Sequence, residues 1–194
     1  FDARGRRVLD PSRGYTWDAA GRLTSVSNAT GVVTNEYTAL GDLARQSRPG
    51  ATNEYFHQYA MPGRPMLAEK LNGAYVRLYV HRPDGRLLYH VDVAGVPAVR
   101  FHHFNHAGIV VNRAGIHAGD VTDSYGYTVY GRRLQHNGTS GQPFGYIGEM
   151  GVREEAGTSL VQMRARWYDM LTARFLSRDP LWIETAEDPL QMSP

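Results

Sequence analysis

No cysteine occurs in these 194 residues, and only one lysine. The first absence excludes a disulfide framework and any thiolate nucleophile or metal ligand, while leaving the compartment open. The second makes cation chemistry a matter of arginine, since Lys70 is the sole ammonium among 21 basic side chains. No apolar run approaches the length of a membrane span, and no signal-peptide pattern opens the chain. The net charge of +2 is too near neutral to demand an acidic partner, and nucleic acid is not expected as one. No window shows helical periodicity of amphipathic length. Gly138-Thr139-Ser140-Gly141 is neither a phosphate-cradling loop nor a nucleophile elbow, lacking the lysine of one and the Gly-x-Ser-x-Gly spacing of the other.

What the chain does contain is a turn unit. Between Gly14 and Leu23, Tyr15 and Trp17 alternate with Gly14, Thr16 and Asp18, the period of a strand with one buried face. Asp18 can hydrogen-bond forward into a turn, and Gly21 can take the positive φ that closes a hairpin loop. Arg22 and Leu23 then begin the return strand.

The unit recurs. Taking the turn glycine as zero, a ring stands at minus four in Phe1, Trp17, Tyr37, Tyr59, Phe104 and Tyr127, before Gly5, Gly21, Gly41, Gly63, Gly108 and Gly131. His81 holds that place before Gly85. A second ring lies at minus six in Tyr15, Tyr79, His102 and Tyr125, with His57 in the matching slot. The glycines step by 16, 20, 22, 22, 23 and 23 residues, so this is a repeat protein. Arginine follows five of the seven glycines, where its stem is expected to pack across a neighbouring hairpin.

Tyr15-x-Trp17-Asp18-x-x-Gly21-Arg22-Leu23 resembles the YD repeat of Rhs proteins, found also in Tc toxin C components and in teneurins. Arg164-Ala165-Arg166-Trp167-Tyr168-Asp169, continued by Arg174-Phe175-Leu176-Ser177-Arg178-Asp179-Pro180, is similar to the Rhs core signature. The family usually has Pro where Met170 stands and Gly where Ala173 stands, so that turn is expected to be rebuilt. The resemblance implies an all-β fold of successive antiparallel hairpins, winding as a twisted ribbon that forms part of a hollow shell.

Residues 1–141 are expected to form the hairpin array, and residues 142–194 a core-associated segment with an irregular tail. The polar loop from His136 to Pro143 divides them. Phe144 to Glu149 alternates like a further strand, and Thr158 to Tyr168 like one more. In the tail, Trp182 and Ile183 could dock on the sheet. Because Phe1 falls inside a repeat, more chain is expected upstream.

The functional expectation is structural: a shell wall that encapsulates or presents a C-terminal toxin cargo. The partners implied are the remaining shell upstream, that cargo and a secretion apparatus, with the protein secreted or at a bacterial surface. The resemblance also brings an aspartyl autoprotease that releases the C-terminal region, for which Asp169, Asp179 and Arg166 are candidates. The plainer reading has the two aspartates bonding turns and pairing with Arg166 or Arg174. A third reading is adhesion through carbohydrate or protein contacts. His102, His103 and His106 form a histidine cluster, but His102 occupies the repeat's ring slot, so neither metal nor cofactor is expected.

Overall fold

The computed structural model describes residues 1–115, 117, 119–155 and 157–179. The expected docking of Trp182 and Ile183 lies outside the described residues. Twelve strands follow one another: β1 (Gly14–Trp17), β2 (Leu23–Asn28), β3 (Gly31–Tyr37), β4 (Leu43–Arg48), β5 (Ala51–His57), β6 (Met66–Leu71), β7 (Ala74–His81), β8 (Leu87–Asp92), β9 (Ala98–Phe104), β10 (Val110–Ala114), β11 (Val121–Tyr127) and β12 (Arg133–Asn137). Each pairs antiparallel with the next, giving one sheet in strict sequence order. Four more make a second sheet, again in order: β13 (Arg153–Glu154), β14 (Leu160–Met163), β15 (Arg166–Asp169) and β16 (Arg174–Phe175). The fold is all-β and made of successive hairpins, as the sequence implies.

The local cause is the turn. Asp18 N–H donates to the Arg22 carbonyl (3.0 Å) and Gly21 N–H to the Asp18 carbonyl (3.1 Å). The Asp18 carboxylate accepts from Arg22 N–H at 2.8 Å. The same two backbone bonds recur at Asp2–Arg6, Thr38–Asp42, Arg82–Arg86, Asn105–Ile109 and Thr128–Arg132. Gly21 closes its loop at φ +80, and a Cβ there would meet nothing within 4 Å. The requirement is therefore conformational alone. Gly21→Val is expected to lower stability by about 1–2 kcal/mol through backbone strain, and unchanged thermal melting would contradict the turn assignment.

The Gly63 repeat departs from the pattern. His57 pairs with Met66 across a loop of residues 58–65, three longer than the 18–22 loop. The insertion shifts the register. Tyr59 sits in that loop, half exposed, and His57 takes the place that Trp17 and Tyr37 hold in theirs. The inward position two residues earlier, expected at His57, belongs to Tyr55. Across the sheet that position reads Tyr15, Asn35, Tyr55, Tyr79, His102 and Tyr125, every one buried.

The core lies between this face and the second sheet. Tyr15, Leu23, Val26, Leu43, Tyr55, Met66, Tyr79 and Leu87 pack with Phe144, Leu160, Trp167 and Leu176. Burying each such side chain contributes about 1.5–3 kcal/mol. A lone hairpin has no surface to cover its rings, and here the second sheet supplies one. Trp167 Nε1 donates to Tyr37 Oη at 3.1 Å, tying the two layers together.

Two expected strands differ. Phe144 to Glu149 is not extended: Gln142 brackets Phe144 through both amide atoms, and Gly148–Met150 forms a 3-10 turn. Phe144 and Tyr146 are buried without a ladder: the backbone turns at Ile147, φ +52, and at Gly151, φ +79, on either side of the 3-10 turn. Gly145 and Gly148 leave room for close packing against Tyr127 and Phe144. Thr158 to Tyr168 contains two strands, β14 and β15, reversed at Arg164 with φ +54.

Candidate functional site

Arginine ties neighbouring hairpin tips together. Arg6 donates to the Asp18 carbonyl (2.9 Å) and Arg22 to the Thr38 carbonyl (3.2 Å). Their guanidinium groups lie 5.8 Å from the Trp17 ring centroid and 5.2 Å from that of Tyr37. Each thus stacks on the minus-four ring of the next repeat, a cation–π contact that uses the planar group a lysine lacks. Arg64 reaches back to the Leu40 carbonyl at 3.4 Å. Arg86 instead faces Glu149, at 3.7 Å.

Beneath the core, the inward face carries a buried polar lane that alternation did not reveal. Asn53 donates to Glu69 (2.7 Å), which also accepts from Tyr79 Oη (2.9 Å) and Arg77 (3.1 Å). Arg77 continues to Asp92 at 3.2 Å, and Asp92 faces His90 at 3.3 Å. His90 Nδ1 and His102 Nε2 share a hydrogen bond of 2.8 Å. Farther along, Asp123 joins Arg113 and His136, each at 3.0 Å. The sequence signal was available: charged residues stand at inward parity inside strands. Glu69 and Arg77, Arg77 and Asp92, and Arg113 and Asp123 are opposed in register across neighbouring strands. The contacts of Glu69 with Asn53 and of His90 with His102 are set only once the sheet is formed.

This environment moves the titrating groups. Burial, then the adjacent Glu69 carboxylate, pushes the Tyr79 phenol far above its ordinary value. Burial, then the neighbouring His90, brings His102 down to about 2. Burial opposes ionisation of Asp92, yet the His90 hydrogen bond and nearby charges hold it at about 2. His103 is exposed on the opposite face and His106 lies in an exposed turn, so the three clustered histidines do not converge.

The core segment separates its two aspartates by role. Asp169 is fully buried, and its Oδ2 accepts from Arg13 (2.7 Å), Arg7 (3.0 Å) and Thr172 (2.9 Å). Its Oδ1 accepts Leu171 N–H at 3.0 Å. Asp169 therefore clasps the second sheet to the segment before β1. Asp179 pairs instead with Arg166 at 3.0 Å, and Arg166 stacks 3.7 Å from the Phe175 ring centroid. Ala173, where the family has glycine, adopts φ +54. The turn is kept at the expense of strain. Ala173→Gly is expected to raise stability by about 1 kcal/mol, read as a higher melting temperature; a lower one would show the methyl group to matter more.

These features define a class: a β-sheet of repeated hairpins, stitched at its tips by arginine and backed by a clasped second sheet. Solved toxin-complex chains share this fold. A TcdB2–TccC3–Cdc42 crystal structure matches at a TM-score of 0.69 and 18% identity, over 93% of this chain and 10% of that one. A Tc holotoxin pore of Photorhabdus luminescens matches at 0.70 and 16% identity, over 93% of this chain and 9% of that one. At such identities the likeness is one of fold. In sequence, the tRNA3(Ser)-specific nuclease WapA of Bacillus spizizenii is 24% identical over 191 residues. That match spans 93% of this chain but 8% of the relative's length. No family model matches the chain.

Proposed function

We propose that this chain is a stretch of the wall of an Rhs-type β-shell, which encloses or presents a toxic C-terminal cargo carried on the same polypeptide and exported from a bacterium. The observation that carries the reading is the open sheet. Twelve strands run in sequence order, and among the described residues nothing pairs with the outer edge of β12. A free edge of this kind invites pairing with more chain, and further hairpins of the same repeat extend it without a new rule. The fold shared with toxin-complex chains over about a tenth of their length supports the same assignment. The remaining shell and the cargo are then its partners, with a secretion apparatus for export.

The aspartyl autoprotease reading is weaker, because Asp169 is held in a buried clasp with two arginines and Asp179 in a separate pair. Adhesion draws support from the outer face. Paired residues share a face, so Phe56, Ala68, Leu78, Val91 and Val99 form one apolar row across five strands. Val80, Tyr89 and Phe101 form another beside it.

Native mass and small-angle scattering of the full-length polypeptide test the wall. A large hollow particle that protects its C-terminal region from protease is the expected result. A compact particle with a radius of gyration of about 16 Å for this chain, together with glycan binding, would replace the wall by an adhesion module.

A further inference from the structure

A cavity of about 1140 Å3 opens where the hairpin tips of residues 19–23, 40–43 and 62–66 meet the core segment. Its charge is one-sided: seven arginines line it against two aspartates, Asp42 and Asp179. Asp42 is engaged by Arg64 at 3.2 Å and Asp179 by Arg166 at 3.0 Å. Asp2 and Asp18 take up Arg6 and Arg22 from outside the lining. Arg4, Arg153, Arg164 and Arg178 are left with no carboxylate within reach among the described residues.

Arg153 is the telling member. It is 4% exposed, and its guanidinium lies 3.9 Å from the Tyr55 ring centroid. Among the described residues, its Nη2 has no hydrogen-bond partner. The ring and the nearby buried Glu155 compensate this cation only in part: cation–π attraction returns less than desolvation removes, and burial disfavours the anionic form of Glu155. An incoming carboxylate would correct this, and the guanidinium fork matches it with two parallel bonds.

We propose that this cavity is a docking site for an acidic polypeptide segment, with carboxylates on either side of an apolar or aromatic side chain. The arginines receive the carboxylates. Tyr37, Tyr55, Met66 and Trp167, in the same lining, receive the apolar group. An inorganic anion would fill little of this volume and leave that apolar surface unused. The inference deepens the wall reading and rests on it, because an enclosed cargo supplies such a segment at high effective concentration.

Calorimetry on the whole chain tests it. The probes are acetyl-Glu-Asp-Trp-Glu-Asp-amide, its counterpart with Gln and Asn in place of Glu and Asp, and inorganic phosphate. The acidic peptide is expected to bind about tenfold more tightly than the neutral one, and less tightly as salt rises. Arg164→Gln, at an exposed turn, should weaken it severalfold with the circular dichroism unchanged. Arg153→Gln should do so more strongly, and Arg164→Gln keeps the test alive if that variant misfolds. Equal affinity for both peptides, heat from phosphate alone, or no binding would overturn the proposal. Binding seen only after Glu184→Gln, Glu187→Gln and Asp188→Asn would also overturn it, by making the chain's own C-terminal segment the occupant. Particle size does not depend on peptide binding, so failure here and failure of the wall reading are told apart.

Discussion

Asp169→Ala is expected to lower the stability of the fold by about 3–5 kcal/mol, the usual result of removing one partner from a buried ion pair. The carboxylate is fully buried and faces two arginines that are themselves nearly buried, Arg7 and Arg13. Its loss would leave both cations desolvated and without their shared counter-ion. Arg13 keeps Asp10 at 3.0 Å and the Thr158 carbonyl at 2.8 Å, while Arg7 keeps a long bond to the Thr172 hydroxyl at 3.4 Å and a distant Asp10 at 3.9 Å. Arg7 therefore suffers more. The midpoint of urea denaturation should fall by about 2 M. Asp169→Asn preserves shape and an acceptor but not charge, and should fall between. An unchanged midpoint in the alanine variant would remove the clasp from this account.

Acid should destabilise the protein well before its carboxylates protonate. Burial lowers His57, His81, His90 and His102 from their ordinary range, His81 to about 4 and His102 to about 2. Below about pH 6.5 the unfolded chain takes up protons that the folded chain refuses, so stability falls with pH. The stability these groups contribute is complete above that value and is lost as pH drops toward their folded values. Each group kept neutral contributes about 1.4 kcal/mol per pH unit in this window. For His102, held at about 2, about 2 kcal/mol should disappear between pH 7 and pH 5, with the other three adding in the same direction.

A second window lies lower. Asp10 and Asp92, both held at about 2, give up their contribution only below about pH 4. Melting temperatures across pH 4–8 check the first window, and His102→Gln should flatten the slope. Identical melting at pH 7.5 and pH 5 in the wild-type chain would mean that these histidines are solvated.

The hairpin sheet was legible in the sequence because its information is local. A tight turn needs Gly21 at positive φ, and Asp18 four residues before Arg22 closes the loop with its own carboxylate. Repetition of that spacing declares an ordered sheet, since each hairpin has only its neighbours to cover it. Where spacing misled, the reason was equally local. The longer loop before Met66 moved Tyr59 out of the ring ladder and put Tyr55 and His57 in register. At Phe144 to Glu149 alternation was present, but the backbone turns at Ile147, φ +52, into a 3-10 turn.

Ion pairing was not legible in the same way. Glu69, Asp92 and Asp123 read as ordinary strand charges until tertiary structure placed Tyr79, His90 and Arg113 against them. Asp169 is separated from Arg7 by 162 positions, and no repeat relates the two. Chain order by itself settled the hairpins, their sequence and their turn residues, because those depend on φ, ψ and residues a few positions apart. Only the closing of the second sheet on the first decided which charges are buried, joined Asp169 to Arg7 and Arg13, and left Arg153 facing a cavity. Desolvation depends on everything that surrounds a group, and most of what surrounds it comes from elsewhere in the chain.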